Sequence, residues 1–156
     1  MKWKIPPKIK IHEALGSVAD GRVEVVNDTE AKVFSSSGNK FYGVKYDPKT
    51  NAITCNDNGS YWVGYLGYPA IAFLMLKGVI KYDEFVAQAF AGFKWKDINQ
   101  KFKNDFAKTE ELIMKEIKEK SLSADAINTE INTIYNQIIS LNLVKLGKTA
   151  KPPSGY

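Results

Sequence analysis

The sequence predicts an α+β fold in which a four-stranded antiparallel sheet packs on helices. Four short β-type segments, separated by turn residues, follow one another before residue 56. The most apolar stretch comes next, at residues 61–77, and its second half has the composition of a buried helix. The C-terminal half carries apolar residues at three- and four-residue spacings, which is typical of amphipathic helices.

The first ten residues predict an extended arm, because Pro6 and Pro7 restrict the backbone. Lysines surround Trp3 in this arm, so it is interpreted either as a solvated tail or as a basic arm with Trp3 available for stacking. Both interpretations stay open. Residues 11–21 then predict a short helix that ends at Gly21.

Residues 22–26, 31–35, 40–46 and 52–55 predict the four strands of an antiparallel meander. One face is expected to lie on the helix at residues 69–76, and the other face is expected to be free. Alternation in the third strand separates two sets of side chains, each with rings and lysine, so the face towards the core stays undecided. The sets are Lys40, Tyr42, Val44 and Tyr46, and Phe41, Gly43 and Lys45.

The central apolar stretch is interpreted as a core helix with Pro69 in its first turn, where a missing N–H costs nothing. A membrane span is disfavoured, because Gly64, Gly67 and Pro69 interrupt an uncharged run of marginal length. Before this helix, four rings are interleaved with glycine, a composition that leaves ring faces open. These are Tyr61, Trp62, Tyr65 and Tyr68.

Asp83 predicts the N-cap of a helix that runs to about residue 91, and a long helix is expected from residue 93 to near residue 120. Ser121 and Ser123 mark a turn and a cap. A heptad seam follows, and it predicts a coiled-coil hairpin that forms a homodimer. The dimerisation residues are Ile127, Ile131, Ile134, Ile138 and Leu141.

The expected organisation has three parts: an α+β nucleic-acid-binding domain at residues 1–108, a helical dimerisation hairpin at residues 109–147, and a flexible tail at residues 148–156. A single cysteine and the absence of an apolar export segment predict a cytoplasmic protein without disulfides. The net charge of +5 favours an anionic partner.

Catalytic chemistry has little support in the sequence. His12 is the only histidine and Cys55 the only cysteine, so neither a zinc tetrad nor a histidine-assisted nucleophile is expected. Glycine-rich phosphate loops are missing too. We therefore expect no enzyme, no cofactor, no metal and no small-molecule substrate.

Rings interleaved with lysines favour single-stranded nucleic acid as the ligand, because lysines neutralise phosphates while rings stack on bases. Arg22 is the only arginine, which disfavours base-specific reading of a duplex. The predicted nucleic-acid-binding residues are Lys40, Phe41, Tyr42, Lys45, Tyr46, Tyr61, Trp62, Tyr65, Lys94, Trp95, Lys96, Lys101 and Lys103. The alternative is a protein–protein adaptor in which these rings are core and the helical seam recruits a partner.

Two family resemblances add to this interpretation. Basic strands, the phrase GYPAIAFLMLKG, the phrase KWKDINQKFKNDF and a zipper-like tail together resemble the ThermoDBP family of archaeal single-stranded DNA-binding proteins. That resemblance implies a basic, aromatic-lined cleft and a C-terminal helical dimer. The strand order around Cys55 is also similar to a SWIM domain without its zinc ligands. Cys55 would match the first ligand, and Asp57, Ala70 and Ala72 stand where the other three zinc ligands would be.

Overall fold

The structure, a computed structural model, describes residues 1–120 and 122–154 of an α+β fold. Ser121 of the predicted turn, and Gly155 and Tyr156 of the predicted tail, lie outside the described residues. The elements in chain order are α1 (Ile9–Ala19), β1 (Val23–Asn27), β2 (Glu30–Phe34), β3 (Phe41–Asp47), β4 (Ala52–Cys55), a π-helical turn (Gly59–Val63), α2 (Tyr68–Leu76), α3 (Glu84–Gln88), α4 (Trp95–Lys101), α5 (Phe106–Glu119), α6 (Ala124–Leu141) and β5 (Val144–Lys145).

The sheet contains the predicted meander and one further strand. Strands β1 to β4 pair antiparallel in chain order. Strand β5 then pairs parallel to β4, with Ala52 opposite Val144. The described sheet is therefore five-stranded and mixed, which corrects the expected four antiparallel strands. Two residues are too few to show an alternating pattern, so β5 had no signal in the sequence.

Helix α2 packs across β1, β2, β3 and β4, as predicted for one face of the sheet. In β3, Tyr42, Val44 and Tyr46 are buried on that face. Phe41 and Lys45 point to the outer face. Burying Tyr42, Val44 and Tyr46 removes more apolar surface from water than burying Phe41, Gly43 and Lys45 would, and this explains which face of β3 is turned to the core.

The outer face of the sheet is partly covered, not free. The chain after β5 runs along it, and the Asn56 amide donates to the Lys151 carbonyl at 3.4 Å. The Lys40 ammonium donates to the Ser154 carbonyl at 2.6 Å, and Pro152 is buried. In its described part, the expected flexible tail is therefore attached to the sheet.

The N-terminal arm is a structural element. Trp3 is buried, and its indole N–H donates to the Ile53 carbonyl at 2.9 Å. Its backbone N–H bonds the Leu143 carbonyl, and the Lys4 N–H bonds the Gly64 carbonyl, both at 3.1 Å. The arm thus connects the segment before β5 with the loop that follows the π-helical turn. The interpretation of Trp3 as a free stacking residue is wrong.

The heptad seam packs inside this chain. Ile127, Ile131, Ile134 and Ile138 belong to the same core as Trp3, and Leu141 packs against that core. Helix α6 contacts α1 and α3, so the seam is filled by the chain's own helices. This corrects the predicted coiled-coil extension and its dimerisation interface. Ile113 and Ile117 of α5 join the same core, which therefore crosses the expected boundary at residue 108.

The helices between residues 83 and 120 are shorter than predicted. Asp83 caps α3 as expected, and its carboxylate accepts from the backbone N–H of Phe85 at 2.8 Å. The long helix expected from residue 93 is divided into α4 and α5, because Lys103 and Asn104 adopt left-handed backbone conformations. Within the described residues, no helix combines the length and the hydropathy that crossing a membrane requires.

Candidate functional site

A deep cleft of about 1060 Å³ opens between the N-terminal arm, α1, β3, the π-helical turn and α4. Six aromatic rings line it, together with proline, serine, amide, carboxylate and lysine side chains. The cleft rings are Tyr42, Trp62, Tyr65, Tyr68, Trp95 and Phe106. The lysines are Lys4, Lys10 and Lys96. This volume is at the upper end of the range for ligand-binding pockets.

Five of the predicted binding residues meet in this cleft, although they come from three separate segments. Tyr42 comes from β3, Trp62 and Tyr65 from the π-helical turn and the loop after it, and Trp95 and Lys96 from α4. Trp62 is 68% exposed, whereas Trp95 is only 3% exposed. Trp95 packs deeply because Gly16 in α1 has no side chain, and a Cβ there would lie 2.8 Å from the indole nitrogen.

The other predicted residues lie elsewhere. Tyr46 belongs to the hydrophobic core, as Trp95 does, but unlike Trp95 it does not line the cleft, which corrects its predicted role in binding. Phe41 and Lys45 line a separate groove on the outer face of the sheet, where the Lys32 ammonium lies 5.0 Å from the Phe41 ring centroid. Tyr61 packs edge-to-face against Trp62, with ring centroids 4.7 Å apart.

The remaining predicted lysines are not among the residues that line the cleft. Lys40 holds the C-terminal segment, as described above. The Lys94 ammonium donates to the Ser36 carbonyl at 3.4 Å. Lys101 lies over the Phe102 ring, and Lys103 occupies the turn between α4 and α5.

Lys10 and Glu13 form the inner end of the cleft, and neither was predicted as a site residue. Their side chains form an ion pair of 2.8 Å, and the Asn99 amide donates to Glu13 Oε1 at 2.9 Å. The signal was an i, i+3 pair of opposite charges on a helix that is otherwise almost entirely apolar. Burial of both charges shows only in the tertiary structure.

The electrostatics of the inner end keep Lys10 charged. Burial alone would lower the pKa of Lys10, but the Glu13 carboxylate, together with Tyr65 and Asp57, outweighs it and raises the pKa. Burial raises the pKa of Tyr65, although a hydrogen bond with Lys10 opposes that effect. The Lys10 ammonium also lies 4.9 Å from the centroid of the Phe106 ring. The inner end therefore contains the charged Lys10 ammonium beside the Glu13 carboxylate.

Asp57 holds the neighbouring wall of the cleft together. Its carboxylate accepts from the Ser60 hydroxyl and from the Cys55 thiol, the latter at 3.0 Å. Burial, followed by the Asp57 charge, raises the pKa of the Cys55 thiol well above its usual range. The thiol is thus kept protonated, which is the opposite of what a nucleophilic cysteine requires. Asp57 acts as a structural acceptor.

Gly67 allows this wall to form. A Cβ on Gly67 would lie 2.1 Å from an Asp57 carboxylate oxygen. Across the described residues, no three potential histidine, cysteine, aspartate or glutamate ligands are grouped closely enough to hold a metal ion. The arrangement supports binding by stacking, hydrogen bonding and charge.

Comparison with known proteins identifies a family. A family model described as "Uncharacterised conserved protein UCP014422" matches residues 3–144, which includes all the cleft residues. No curated protein matches the chain. No solved structure matches it either.

Proposed function

Since the chain belongs to the family described as Uncharacterised conserved protein UCP014422, we propose its function from the cleft itself: sequence-tolerant binding of single-stranded DNA. The observation that carries the proposal is the convergence of Tyr42, Trp62, Tyr65, Trp95 and Lys96 on one cavity. The resemblance to the ThermoDBP family supports the same function.

The cleft suits unpaired bases on physical grounds. Trp62 is 68% exposed and offers a ring face for stacking, whereas Tyr42, Tyr65 and Trp95 are only 5%, 8% and 3% exposed and line the cleft with their edges. Stacking contributes on the order of 1–3 kcal/mol per base without reading sequence. Lys4 and Lys96 line the cleft as well, and the exposed Lys4 side chain donates to the Val63 carbonyl at 3.1 Å. Their ammonium groups would bind phosphates outside the aromatic walls, so bases point inward and the backbone stays near the surface.

A duplex fits this arrangement poorly, because its bases are already stacked on one another and cannot enter a recessed cleft. Arg22, the only arginine, is also engaged within the chain. Its guanidinium donates to the Phe34 carbonyl at 2.7 Å and pairs with Asp20 at 3.3 Å. The protein–protein adaptor, in turn, loses its expected docking surface, because the helical seam is buried in the core.

Tryptophan fluorescence tests the proposal directly. Trp62 is exposed at the cleft, whereas Trp3 is buried and hydrogen-bonded elsewhere. Titration with thymidine oligonucleotides of about 12 residues is expected to quench the fluorescence. Two lysine–phosphate contacts predict an affinity about sevenfold weaker at about 200 mM than at about 50 mM salt. Uridine oligonucleotides and a duplex of equal length serve as comparisons.

The matched variants are Trp62→Ala and Phe85→Ala. Phe85 is 73% exposed but does not line the cleft, so its loss is expected to leave binding unchanged. Trp62→Ala should weaken binding by about tenfold, as expected for one lost stacking partner. Equal binding by both variants, or no quenching at either salt concentration, would refute the proposal. Recovery of shortened oligonucleotides would instead indicate an enzyme.

The homodimer implied by the family resemblance stays a prediction. Because the heptad seam is buried, such a dimer would have to use another surface. Light scattering over a range of protein concentrations, with and without oligonucleotide, measures it.

A further inference from the structure

The inner end of the cleft has hydrogen-bonding capacity that the protein does not use up. An ammonium group carries three N–H donors. Glu13 and Tyr65 engage Lys10, and the Phe106 ring lies 4.9 Å from the same ammonium, so two of the three donors have hydrogen-bond partners among the described residues. The Lys10 side chain is 12% exposed, and that exposed part lies at the cleft.

Phosphate is the wrong ligand for the third donor. The Lys10 charge is already balanced by Glu13 at 2.8 Å, and Asp57 acts on the same ammonium from the neighbouring wall. Two carboxylates against one cation repel a phosphate at this depth. A neutral group with hydrogen-bond acceptors meets no such repulsion, so a base fits the inner end better than the backbone does.

The surroundings favour a flat ligand. The Phe106 ring lies under the Lys10 ammonium, with 4.9 Å from nitrogen to ring centroid. Tyr42 and Trp95, only 5% and 3% exposed, close the same cavity with their ring edges. A base that enters this cavity would place its edge at Lys10. A single buried N–H donor there favours a base whose edge carries a hydrogen-bond acceptor over a base whose edge carries an amino donor.

On the premise that the cleft binds a single strand, we propose that its inner end selects guanine at one position, through one Lys10 N–H that is shared between O6 and N7. These two atoms are adjacent acceptors, and lysine pairs with them readily. Adenine and cytosine place an amino donor on the corresponding edge, which the ammonium repels. Thymine offers the single acceptor O4 beside a methyl group. Guanine is therefore preferred, thymine follows, and adenine and cytosine bind least.

The first test changes only the ligand. Thymidine oligonucleotides of about 12 residues, with one central base replaced, are titrated against the unaltered protein. A central guanine should strengthen binding by about tenfold, the lower end of what a good base contact contributes. Hypoxanthine keeps O6 and N7 and should retain the gain. Removal of N7, as in 7-deazaguanine, or of O6, as in 2-aminopurine, leaves a single acceptor and should reduce the gain.

The second test changes the protein. Lys10→Met together with Glu13→Gln removes the donor without leaving an unpaired buried charge. The matched control is Lys45→Met together with Glu30→Gln, since these residues form a 3.9 Å pair on the outer face of the sheet. The first variant should bind every central base equally, and the control should keep the tenfold preference. Thermal unfolding of each sample verifies the fold.

The outcomes separate the two proposals. Equal affinity for all central bases, with strand binding intact, overturns guanine selection alone, whereas no strand binding overturns the proposed function. A guanine preference that survives in the Lys10 variant also overturns the inference. Inorganic phosphate competing as strongly as deoxyguanosine monophosphate would place phosphate at the inner end and refute it. If deoxyguanosine monophosphate binds as tightly as the guanine-containing strand, the preference for guanine stands, but the ligand is a free nucleotide and the proposal of a strand is refuted.

Discussion

Trp62 is held at the mouth of the cleft by local backbone geometry. It lies in the π-helical turn Gly59–Val63, which Gly64 ends in a left-handed conformation with φ of 93°. π-Helical turns are rare in proteins as a whole, but those that occur are often found at functional sites. The edge-to-face contact with Tyr61 orients the indole without covering it. An exposed ring at this position therefore results from a defined conformation.

Gly67→Ala should destabilise the protein, because the new Cβ would lie 2.1 Å from the Asp57 carboxylate. We expect a loss of about 1–3 kcal/mol in the free energy of unfolding, which is typical of overpacking. Denaturant unfolding measures it. Gly43→Ala is the control, since a Cβ there meets no atom within 4 Å among the described residues. Similar losses for both variants would contradict close packing at Asp57.

At the level of elements, α6 offers a matched pair of isoleucines. Ile134 is 0% exposed in the core, and Ile139 is 42% exposed on the same helix. Ile134→Ala should lower the free energy of unfolding by about 2–5 kcal/mol, the usual cost of a core cavity. Ile139→Ala should change it by about 0.5 kcal/mol or less.

The same two variants test the packing of the seam. If α6 packs within the chain, the midpoint of unfolding for Ile134→Ala should not depend on protein concentration. A midpoint that rises with concentration in the unaltered protein, and loses that dependence in Ile134→Ala, would restore the seam as an interface between chains.

Elements differed in how well the sequence predicted them. Strands β1 to β4 were predictable because turn residues such as Asn27 and Pro48 delimit short β-type segments. The N-cap at Asp83 and the proline in the first turn of α2 are equally local signals. Strand β5 had no such signal, since two-residue pairing depends on distant packing. The break between α4 and α5 had one that was overlooked, because Asn104 tolerates a left-handed conformation and Asp105 caps α5.

At the scale of the whole molecule, one core contains residues from Trp3 to Leu143. His12 is buried in it, 5.2 Å from the Phe90 ring centroid, and its Nδ1 has no hydrogen-bond partner in the described part of the chain. Burial lowers the pKa of His12 from 6.5 to about 4. The imidazole is therefore neutral in the folded protein at neutral pH.

This burial predicts how stability depends on pH. Between pH 6.5 and about pH 4, the unfolded chain takes up a proton at His12 while the folded chain does not. The contribution of His12 to stability is therefore complete above pH 6.5 and falls by about 3 kcal/mol as the pH drops towards 4. Denaturant unfolding at several pH values measures the dependence.

His12→Leu provides the comparison, because it keeps an apolar contact with Phe90 and removes the titration. The difference in unfolding free energy between the two proteins should vary with pH only below about 6.5. A constant difference from pH 7 to pH 4.5 would contradict the lowered pKa. Nuclear magnetic resonance of the single histidine ring gives the pKa directly.

The sequence singled out several side chains that line the cleft but not the location of the cleft, and their role in binding stays a prediction. Tyr42, Trp62, Tyr65 and Trp95 stood out as rings near lysines, and all of them line the cleft. Tyr46 had the same local appearance and is core. Lys10 and Glu13 were overlooked, because charges on a short helix are usually solvated, whereas here α4 and the loop at Tyr65 enclose them.

Local chemistry in the chain was sufficient for the α+β class, the meander, the helix α2 and its position on the sheet, because turn preferences and hydrophobic periodicity act over a few residues. Long-range packing was needed to choose the inner face of β3, to bury the α6 seam and to enclose an ion pair behind aromatic walls. Those outcomes depend on which surfaces come into contact. A side chain is buried only when a second segment covers it, so the sequence of one segment cannot determine its burial.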